Sequence, residues 1–178
     1  MQDLIVPPLK YFKLHPEAIP PVYSTEDAAC FDIHACLSPG DEVTMYSSNN
    51  TVYFRSIDES REFLIPGGHR AMIPTGLVFV IEPGWSVRVH ARSGNAIKLG
   101  LVLANGEGVI DWAYYHQALQ PIINHSTSPV VVKHGDRMCQ AEVIKDLKVE
   151  LVETFETPTQ RTNRTGGFGY TGGNLNSK

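Results

Sequence analysis

The stretch Leu77–Val89, LVFVIEPGWSVRV, decides the fold class of this chain. Its first part, Leu77–Ile81, is a continuous apolar run, which is typical of a strand that is buried on both faces. Its last part, Trp85–Val89, alternates between apolar and polar residues, as a half-buried strand does. The Pro83-Gly84 step between the two parts favours a tight turn. The stretch therefore predicts two short strands joined by a turn.

Short β-rich runs of the same kind recur along the chain, and helical periodicity is nearly absent. Their spacing of about ten residues predicts a β-sandwich, a barrel or a jelly roll. One short helix is predicted at 93–99, where Ser93 is placed to cap its start and Gly100 to end it. The further runs are Leu9–Leu14, Thr51–Arg55, Val130–Val132, Met138–Ile144 and Val149–Val152.

The composition fits one globular domain and excludes a disordered chain or a coiled coil, because 42% of the 178 residues are hydrophobic and 19% are charged. The formal net charge of -4 offers no basic excess for a phosphate backbone, so no nucleic-acid polymer is expected as a partner. Cys30, Cys36 and Cys139 form no CxxC pair and are interpreted as free thiols in a reducing, intracellular compartment. No apolar run is long enough to cross a membrane, so no membrane association is expected.

Two parts of the chain differ in composition. Residues 1–156 carry the strand pattern and are predicted to form one β-domain, with an extra hairpin or long surface loop at about 40–62. Residues 157–178 are rich in Gly, Thr and Asn and have no packing period. Phe168 lies there within a glycine-rich run. This pattern favours a flexible lid that becomes ordered when a ligand binds, rather than a plain linker.

Two sites combine charge with a strand or its end. Asp32 lies within the apolar run Ala28–Ile33, where a carboxylate needs a partner or a metal, and a nearby Arg is the favoured partner. The segment Arg92-Ser93-Gly94 directly follows the alternating strand. It can present a guanidinium, a hydroxyl and backbone N–H groups to an anion. Taken alone, the segment favours the simpler alternative of a helix cap beside a solvated Arg.

The segment around Asn105-Gly106 lies between the apolar runs Leu101–Leu103 and Val109-Ile110, which predicts a β-hairpin. Its glycines, including Gly108, allow a ligand to approach the backbone closely. Asp111 follows the second apolar run. The residues leave two alternatives open for it, a general base in a partly buried cleft or a cap of a solvent-exposed turn.

A further turn is predicted at Gly135-Asp136, followed by a strand that carries Arg137 and Gln140. These two residues have opposite parity along the strand and are expected to face opposite sides of the sheet. One is therefore interpreted as structural and the other as contacting a ligand. An Asp136–Arg137 pair that stiffens the turn is the favoured interpretation of this segment.

Taken in order, five segments resemble the five sequence motifs of the trimeric dUTPase family, the dUTP nucleotidohydrolases. Each motif is modest alone, but five of them in order, with family-like spacing, make the resemblance highly specific. It covers about residues 10–172 apart from 40–62. The five segments are Ala29–Ile33, Arg92–Gly94, Asn105–Tyr114, Gly135–Gln140 and Gly166–Gly172.

The resemblance implies a mainly β, jelly-roll-like barrel or sandwich and a homotrimer whose three active sites are shared between subunits. It implies a cytoplasmic enzyme that hydrolyses dUTP to dUMP and pyrophosphate, which limits uracil in DNA and supplies dUMP for dTMP synthesis. The implied cofactor is Mg²⁺, held mainly by the substrate phosphates, with Asp32 contacting its water shell. Mg²⁺ prefers phosphate and water ligands, which agrees with the absence of a His/Asp/Glu ligand pattern in the sequence.

The resemblance also implies roles for single residues. Asp111 would orient and deprotonate the water that attacks the α-phosphorus. Tyr114 would pack against the deoxyribose and exclude a 2′-hydroxyl, and Phe168 would close over the uracil. The implied uracil-reading residues are Asn105, Gly108, Val109, Ile110 and Leu119, and the remaining substrate-binding residues are Arg92, Ser93, Gly94, Gln140, Arg164 and Gly169.

Two other functions stay open at this stage. A dCTP deaminase of the same fold is one, although Gly94–Ile97 stands where that family has a further Ser and Arg. A nucleotide-responsive binding protein without turnover is the other, motivated by the 40–62 segment and by the last motif. In that motif Asn163 replaces the usual Arg, which leaves Arg161 or Arg164 as the ligand of the γ-phosphate.

Overall fold

The computed structural model describes residues 6–163, and this part of the chain contains fourteen β-strands and one short α-helix. The predicted mainly β fold with one short helix is thus confirmed. In chain order the elements are β1 (Lys10–Lys13), β2 (Val22–Tyr23), β3 (Phe31–His34), β4 (Glu42–Tyr46), β5 (Val52–Ser56), β6 (Glu62–Ile65), β7 (Arg70–Pro74), β8 (Leu77–Val80), β9 (Trp85–Ala91), α1 (Ser93–Leu99), β10 (Leu101–Leu103), β11 (Gly108–Asp111), β12 (Leu119–Asn124), β13 (Val130–Lys133) and β14 (Arg137–Lys145).

Two five-stranded antiparallel sheets form a sandwich. One has the strand order β10-β12-β7-β4-β5 and the other the order β11-β9-β14-β3-β2, while β1-β8 and β13-β6 form two-stranded sheets. The inner faces of both large sheets contribute to one hydrophobic core. Ile73 and Ile122 enter it from the first sheet, and Ile33 and Val87 enter it from the second. The apolar alternation along the strands therefore places the core between the sheets.

The 40–62 segment contains the hairpin β4–β5 and the first residue of β6. Strand β4 pairs with β5 on one side and with β7 on the other, so the hairpin extends the first sheet. Val43 and Met45 of β4 are buried in the core. Asn50 occupies the left-handed region, with φ 67°, at the turn, a conformation that Asn tolerates well. Of the two predicted forms, a hairpin or a surface loop, the structure has the hairpin.

The chain divides into two compact units at Leu147 and Lys148. The predicted division into 1–156 and 157–178 stays a prediction. The strand predicted at Val149–Val152 is wrong, because this run pairs with no strand among residues 6–163 and its apolar side chains are exposed. Apolar character alone does not form a strand where no neighbouring strand provides hydrogen bonds. Among residues 6–163, no helix is long and apolar enough to span a membrane.

Two local predictions differ from the structure in detail. Strand β8 is buried on one face only, with Leu77 buried and Val80 50% exposed, because the β1–β8 pair packs on the core from one side. Helix α1 has the predicted bounds, and Gly100 ends it in the left-handed region at φ 70°. Its N-cap residue is Arg92 rather than Ser93, and the Arg92 side chain makes no capping hydrogen bond.

Candidate active site

The Asn105-Gly106 turn joins two different sheets. Strand β10 before it pairs with β12, and strand β11 after it pairs with β9. The predicted β-hairpin is therefore wrong, because the two flanking strands diverge into separate sheets instead of pairing with each other. We call residues 104–108 the 104–108 loop. The divergence opens the sandwich beside this loop and leaves a cavity of about 200 Å³.

The cavity brings together the six described residues for which the resemblance implied base recognition or sugar packing. Its walls come from both sheets and are largely aliphatic, with the Asn105 amide at the loop. The predicted lining residues are Asn105, Gly108, Val109, Ile110, Tyr114 and Leu119. The sequence analysis missed Met72, Val89, Leu103, Ala118 and Pro121, which also line it. Of these, Pro121 could have been predicted from the sequence, because it lies two residues after Leu119 on the same strand face.

Close packing at the loop explains one of its glycines. A Cβ atom at Gly108 would lie 3.0 Å from the Cβ atom of Val89 on the adjacent strand, which is tighter than most side-chain contacts. Gly106 has φ 76° and meets the steric need for a left-handed residue. The loop backbone is tied to β12 by the Ala104 N–H, which donates to the Pro121 carbonyl at 2.7 Å. The slot beside it is therefore narrow and fixed on one side.

Tyr114 lines this cavity, and Asp111 directly follows the lining residue Ile110 in the sequence. The Tyr114 hydroxyl donates to the Gln117 carbonyl at 3.0 Å, and its backbone N–H donates to the Asp111 carbonyl at 3.0 Å. These bonds fix the Tyr114 ring on the cavity wall. Asp111 is the last residue of β11 and is exposed in the single chain, so it lies outside the partly buried cleft that was one of its two predicted settings.

A second cluster surrounds Asp32, which is only 5% exposed. One carboxylate oxygen lies 3.0 Å from Nε of Arg92, and the other accepts a bond from Nη1 of Arg137 at 3.1 Å. The prediction that an Arg satisfies Asp32 is confirmed, with two Arg residues instead of one. The Arg137 carbonyl in turn accepts a bond from Nδ2 of Asn95 at 2.9 Å. The cluster holds two guanidinium groups against one carboxylate and therefore has net positive charge.

A β-bulge overturns the parity argument for Arg137 and Gln140. The register between β14 and β3 shifts between Arg137 and Cys139, and beyond the shift Gln140 lies opposite Asp32. Both Arg137 and Gln140 are therefore neighbours of Asp32. A bulge adds one residue to a strand and moves all later side chains by one position, so counting alternate residues fails across it.

The remaining predicted residues divide into two groups. Ser93 and Gly94 are exposed at the start of α1, directly after Arg92, so the second and fourth motifs meet at the Asp32 cluster. Arg164, Phe168 and Gly169 lie outside the described residues. Of the two Arg candidates for the γ-phosphate, Arg161 is described and exposed. The choice between Arg161 and Arg164 stays open.

A family model described as dUTPase matches residues 46–172 of the chain. A deoxyuridine 5'-triphosphate nucleotidohydrolase from Nautilia profundicola is 34% identical over 165 residues, which are 92% of this chain and 98% of that protein. The chain belongs to the dUTPase family. The family membership that the five motifs predicted is thus confirmed.

Solved structures show the same fold as this dUTPase-family chain. The dUTPase of Staphylococcus bacteriophage 80alpha, in a mutant solved with dUpNHpp, has a TM-score of 0.71 at 17% identity, covering 94% of this chain and 99% of that one. A mutant dUTPase from phage phi11 of S. aureus, whose structure details the coordination of a structural Mg(II) ion, has a TM-score of 0.65 at 17% identity and covers 86% of this chain and 100% of that one.

In this dUTPase-family chain Asp111 and the Asp32 cluster lie at distant positions of the second sheet. Asp111 lies opposite Ser86 of β9, whereas Asp32 lies opposite Gln140, which lies opposite His90 of β9. The four residue steps from Ser86 to His90 span ~13 Å along the strand, and the three strand steps from β11 to β3 span ~14 Å. Asp111 and Asp32 are therefore separated by on the order of 20 Å within one chain.

Proposed function

We propose that this chain hydrolyses dUTP to dUMP and pyrophosphate, which limits uracil in DNA and supplies dUMP for dTMP synthesis. The observation that carries the proposal is the cavity beside the 104–108 loop in a dUTPase-family chain. It combines a narrow slot with a tyrosine fixed on its wall, and the Asp111 carboxylate directly follows the lining residue Ile110 at the end of β11. A slot of about 200 Å³ suits one small ring such as a pyrimidine.

The slot supports selection of the base and the sugar. Backbone and amide groups of Asn105–Ile110 bond the edge of uracil, and the close walls leave no room for a 5-methyl group. A cytosine would leave buried polar groups unpaired, which is strongly disfavoured. Tyr114 packs against the deoxyribose and excludes a 2′-hydroxyl, a role supported by the bond that fixes its hydroxyl on the Gln117 carbonyl. Leu119 covers the opposite wall.

The Asp32 cluster supports phosphate binding. Arg92, Ser93, Gly94 and Gln140 contact the triphosphate, whose negative charge the net positive cluster attracts. The chain as a whole has a net charge of -4, so this attraction must come from local groups. Arg137 is added to the set, because its guanidinium shares Asp32 with that of Arg92.

The chemical step uses Asp111 as the base. Its carboxylate accepts a proton from a water molecule while the water oxygen forms a bond to the α-phosphorus. The bond from the α-phosphorus to the oxygen that bridges it to the β-phosphate breaks, and pyrophosphate leaves with that electron pair. The exposed position of Asp111 at the end of β11 gives it access to such a water.

The distance between Asp111 and Asp32 supports the homotrimer. Within one chain these two residues lie ~20 Å apart. A single nucleotide is too short to place its α-phosphorus beside Asp111 and its phosphates beside Asp32 of the same chain. A second copy therefore has to supply one half of each site. Apolar side chains exposed in the single chain agree with such contacts, among them Ile97 at 87%, Tyr23 at 53% and Trp112 at 50%.

Magnesium is proposed as the cofactor, and it neutralises phosphate charge when it is bound with the substrate. The residues fit a protein-held ion poorly. Asp32 has both carboxylate oxygens engaged by guanidinium groups, and residues 6–163 contain no cluster of three His, Cys, Asp or Glu side chains that would ligate a metal. The ion would instead rest on phosphate oxygens and water, with Asp32 contacting its water shell.

A reducing intracellular compartment, the cytoplasm, is proposed from the cysteines. All three are free thiols, with Cys36 and Cys139 buried. Burial raises the pKa of the Cys139 thiol to about 12, so this thiol stays protonated and inert in the core. No nucleic-acid polymer or membrane is proposed as a partner.

Pyrophosphate release from dUTP, dCTP, dTTP and UTP tests the proposal. Release from dUTP, with the other three nucleotides at least about 100-fold slower in kcat/KM, is the expected result. Ammonia release from dCTP would favour a deaminase, for which the family comparisons offer no support. Binding of dUTP without turnover would favour a nucleotide-responsive binding protein. Either result would overturn the proposed reaction.

A further inference from the structure

The tip of the 104–108 loop has little backbone support of its own. Its backbone bonds are local, with Gly106 N–H donating to the Leu103 carbonyl at 3.2 Å and Glu107 N–H donating to the Asn105 carbonyl at 2.9 Å. Glycines at 106 and 108 flank Glu107, and Gly residues have more backbone freedom than any others. The element that reads the base in the proposed function therefore needs support from elsewhere.

The Glu107 side chain provides a connection out of the loop. Its carboxylate oxygens lie 3.5 Å from Nη1 of Arg88 and 3.8 Å from Nδ1 of His90, both on β9. Arg88 and His90 lie two residues apart on one face of that strand, so a single carboxylate reaches both. The carboxylate is thus held by two groups of a strand that lies within the second sheet.

Those two groups are themselves fixed by neighbouring residues. The Arg88 Nε donates to Ser86 Oγ at 3.2 Å, and Ser86 Oγ donates to Asp146 at 2.7 Å. His90 Nε2 lies 3.1 Å from a carboxylate oxygen of Glu142 on β14. A continuous polar network therefore runs from β14 through β9 to the loop tip.

We propose that Glu107 is a positioning residue, which acts through Arg88 and His90 to hold the 104–108 loop in the conformation that binds the pyrimidine. The inference rests on the proposed function, since it assigns a supporting group to the same cavity. Glu107 itself does not line the cavity, whereas its neighbours Asn105 and Gly108 do. Its effect on the substrate must therefore pass through the loop backbone.

The expected effect is on binding rather than on the chemical step. Asp111 lies at the other end of β11, opposite Ser86, and keeps its strand pairing when the loop tip loosens. Partly exposed ion pairs contribute modestly, so Glu107→Gln should raise KM for dUTP about three- to five-fold and leave kcat within about twofold. Preference for dUTP over dCTP should fall, because a looser loop reads the base edge less strictly.

The experiment compares Glu107→Gln with Glu82→Gln in the full-length protein. Glu82 is a control of similar exposure, because its side chain is 47% exposed against 49% for Glu107, and it pairs with Lys10 at 3.7 Å, outside the 104–108 loop. Glu82→Gln should leave KM, kcat and nucleotide preference unchanged. A KM for Glu107→Gln equal to that of the control would overturn the inference.

A double variant tests whether Glu107 acts through β9. If it does, Glu107→Gln combined with Arg88→Gln should raise KM no further than the larger single effect, because both remove the same contact. If the increases in KM of the two single variants multiply in the double variant, Glu107 does not act through Arg88.

Hydrogen exchange of the amides of residues 104–108 separates this inference from the proposed function. Exchange should rise about threefold or more in Glu107→Gln and stay at the wild-type level in Glu82→Gln, whether or not dUTP is turned over. Unchanged exchange in Glu107→Gln would refute the role of Glu107. The wild-type protein could prove inactive while the exchange of residues 104–108 still rises in Glu107→Gln. That result would refute the proposed reaction but not the role of Glu107 in holding the loop.

Discussion

Replacing Asp32 by Asn tests how the two guanidinium groups of the Asp32 cluster are held together. The substitution keeps the size of the side chain and one acceptor oxygen but removes the negative charge. Arg92 and Arg137 then face each other without the carboxylate that lies 3.0 and 3.1 Å from them. Because Asp32 is 5% exposed, water replaces the lost charge only in part.

The magnitude follows from the two contacts. Each charge-assisted bond contributes about 1.5–3 kcal/mol when desolvated, but the Arg137 side chain is 49% exposed and its share is small. Loss of the charge should therefore lower the free energy of unfolding by about 2 kcal/mol at neutral pH. For a chain of this length that corresponds to a decrease in Tm of about 4–8 °C.

Thermal unfolding at fixed protein concentration measures this decrease. Asp41→Asn is the control, since Asp41 is also paired, with His15 at 3.4 Å, but its side chain is 39% exposed. The control should melt within about 1 °C of the wild-type protein. If Asp32→Asn melts as the control does, the guanidinium pair does not depend on Asp32 and the electrostatic reasoning fails.

Three further substitutions test other parts of the structure. Asp111→Asn should lower kcat by about 100-fold or more and leave Tm unchanged, because the side chain is exposed; near-normal turnover would exclude Asp111 as the base. Gly108→Ala should raise KM for dUTP several-fold, since its Cβ would meet Val89 at 3.0 Å, and an unchanged KM would show that the strands adjust. His134→Gln tests pH dependence. Burial, and then the charge of Arg61, lower the pKa of His134 below its ordinary value of 6.5. As pH falls, the imidazole is therefore protonated in the unfolded chain before it is protonated in the folded one. The free energy of unfolding thus decreases as pH drops below about 6.5. Urea unfolding at pH 7.5 and 5.5 should show a smaller decrease in the free energy of unfolding for His134→Gln than for the wild-type protein. An equal decrease would contradict the role of His134 in this pH dependence.

Local sequence patterns predicted the strands and the helix well, because alternation and turn residues act over a few positions. Trp85–Val89 and Met138–Ile144 lie in β9 and β14, and 93–99 is the helix. The pairing of strands was not accessible in the same way. Asn105-Gly106 has the signature of a hairpin, yet β10 pairs with β12 and β11 pairs with β9 rather than with each other.

The same distinction applies to the site. Asn105, Gly108 and Tyr114 were found because they lie in one contiguous motif. Met72 and Leu103 were missed, because they reach the cavity from strands that become its walls only when the sheets diverge. Arg137 and Gln140 were predicted to face opposite sides of the sheet, because a one-residue bulge has no clear signature in a sequence and reverses the side to which later residues point.

The sheet order also explains how the chain accommodates the 40–62 hairpin without disturbing the site. In the order β10-β12-β7-β4-β5, the strands that wall the cavity are β10, β12 and β7, which carry Leu103, Pro121 and Met72. The hairpin adds β4 and β5 on the far side of β7, with Met45 opposite Ala71. An addition at that edge continues the hydrogen-bond ladder and buries its own apolar residues in the existing core. Because β7 is also paired with β12 on its other side, the Met72 wall of the cavity is held from the side away from the hairpin.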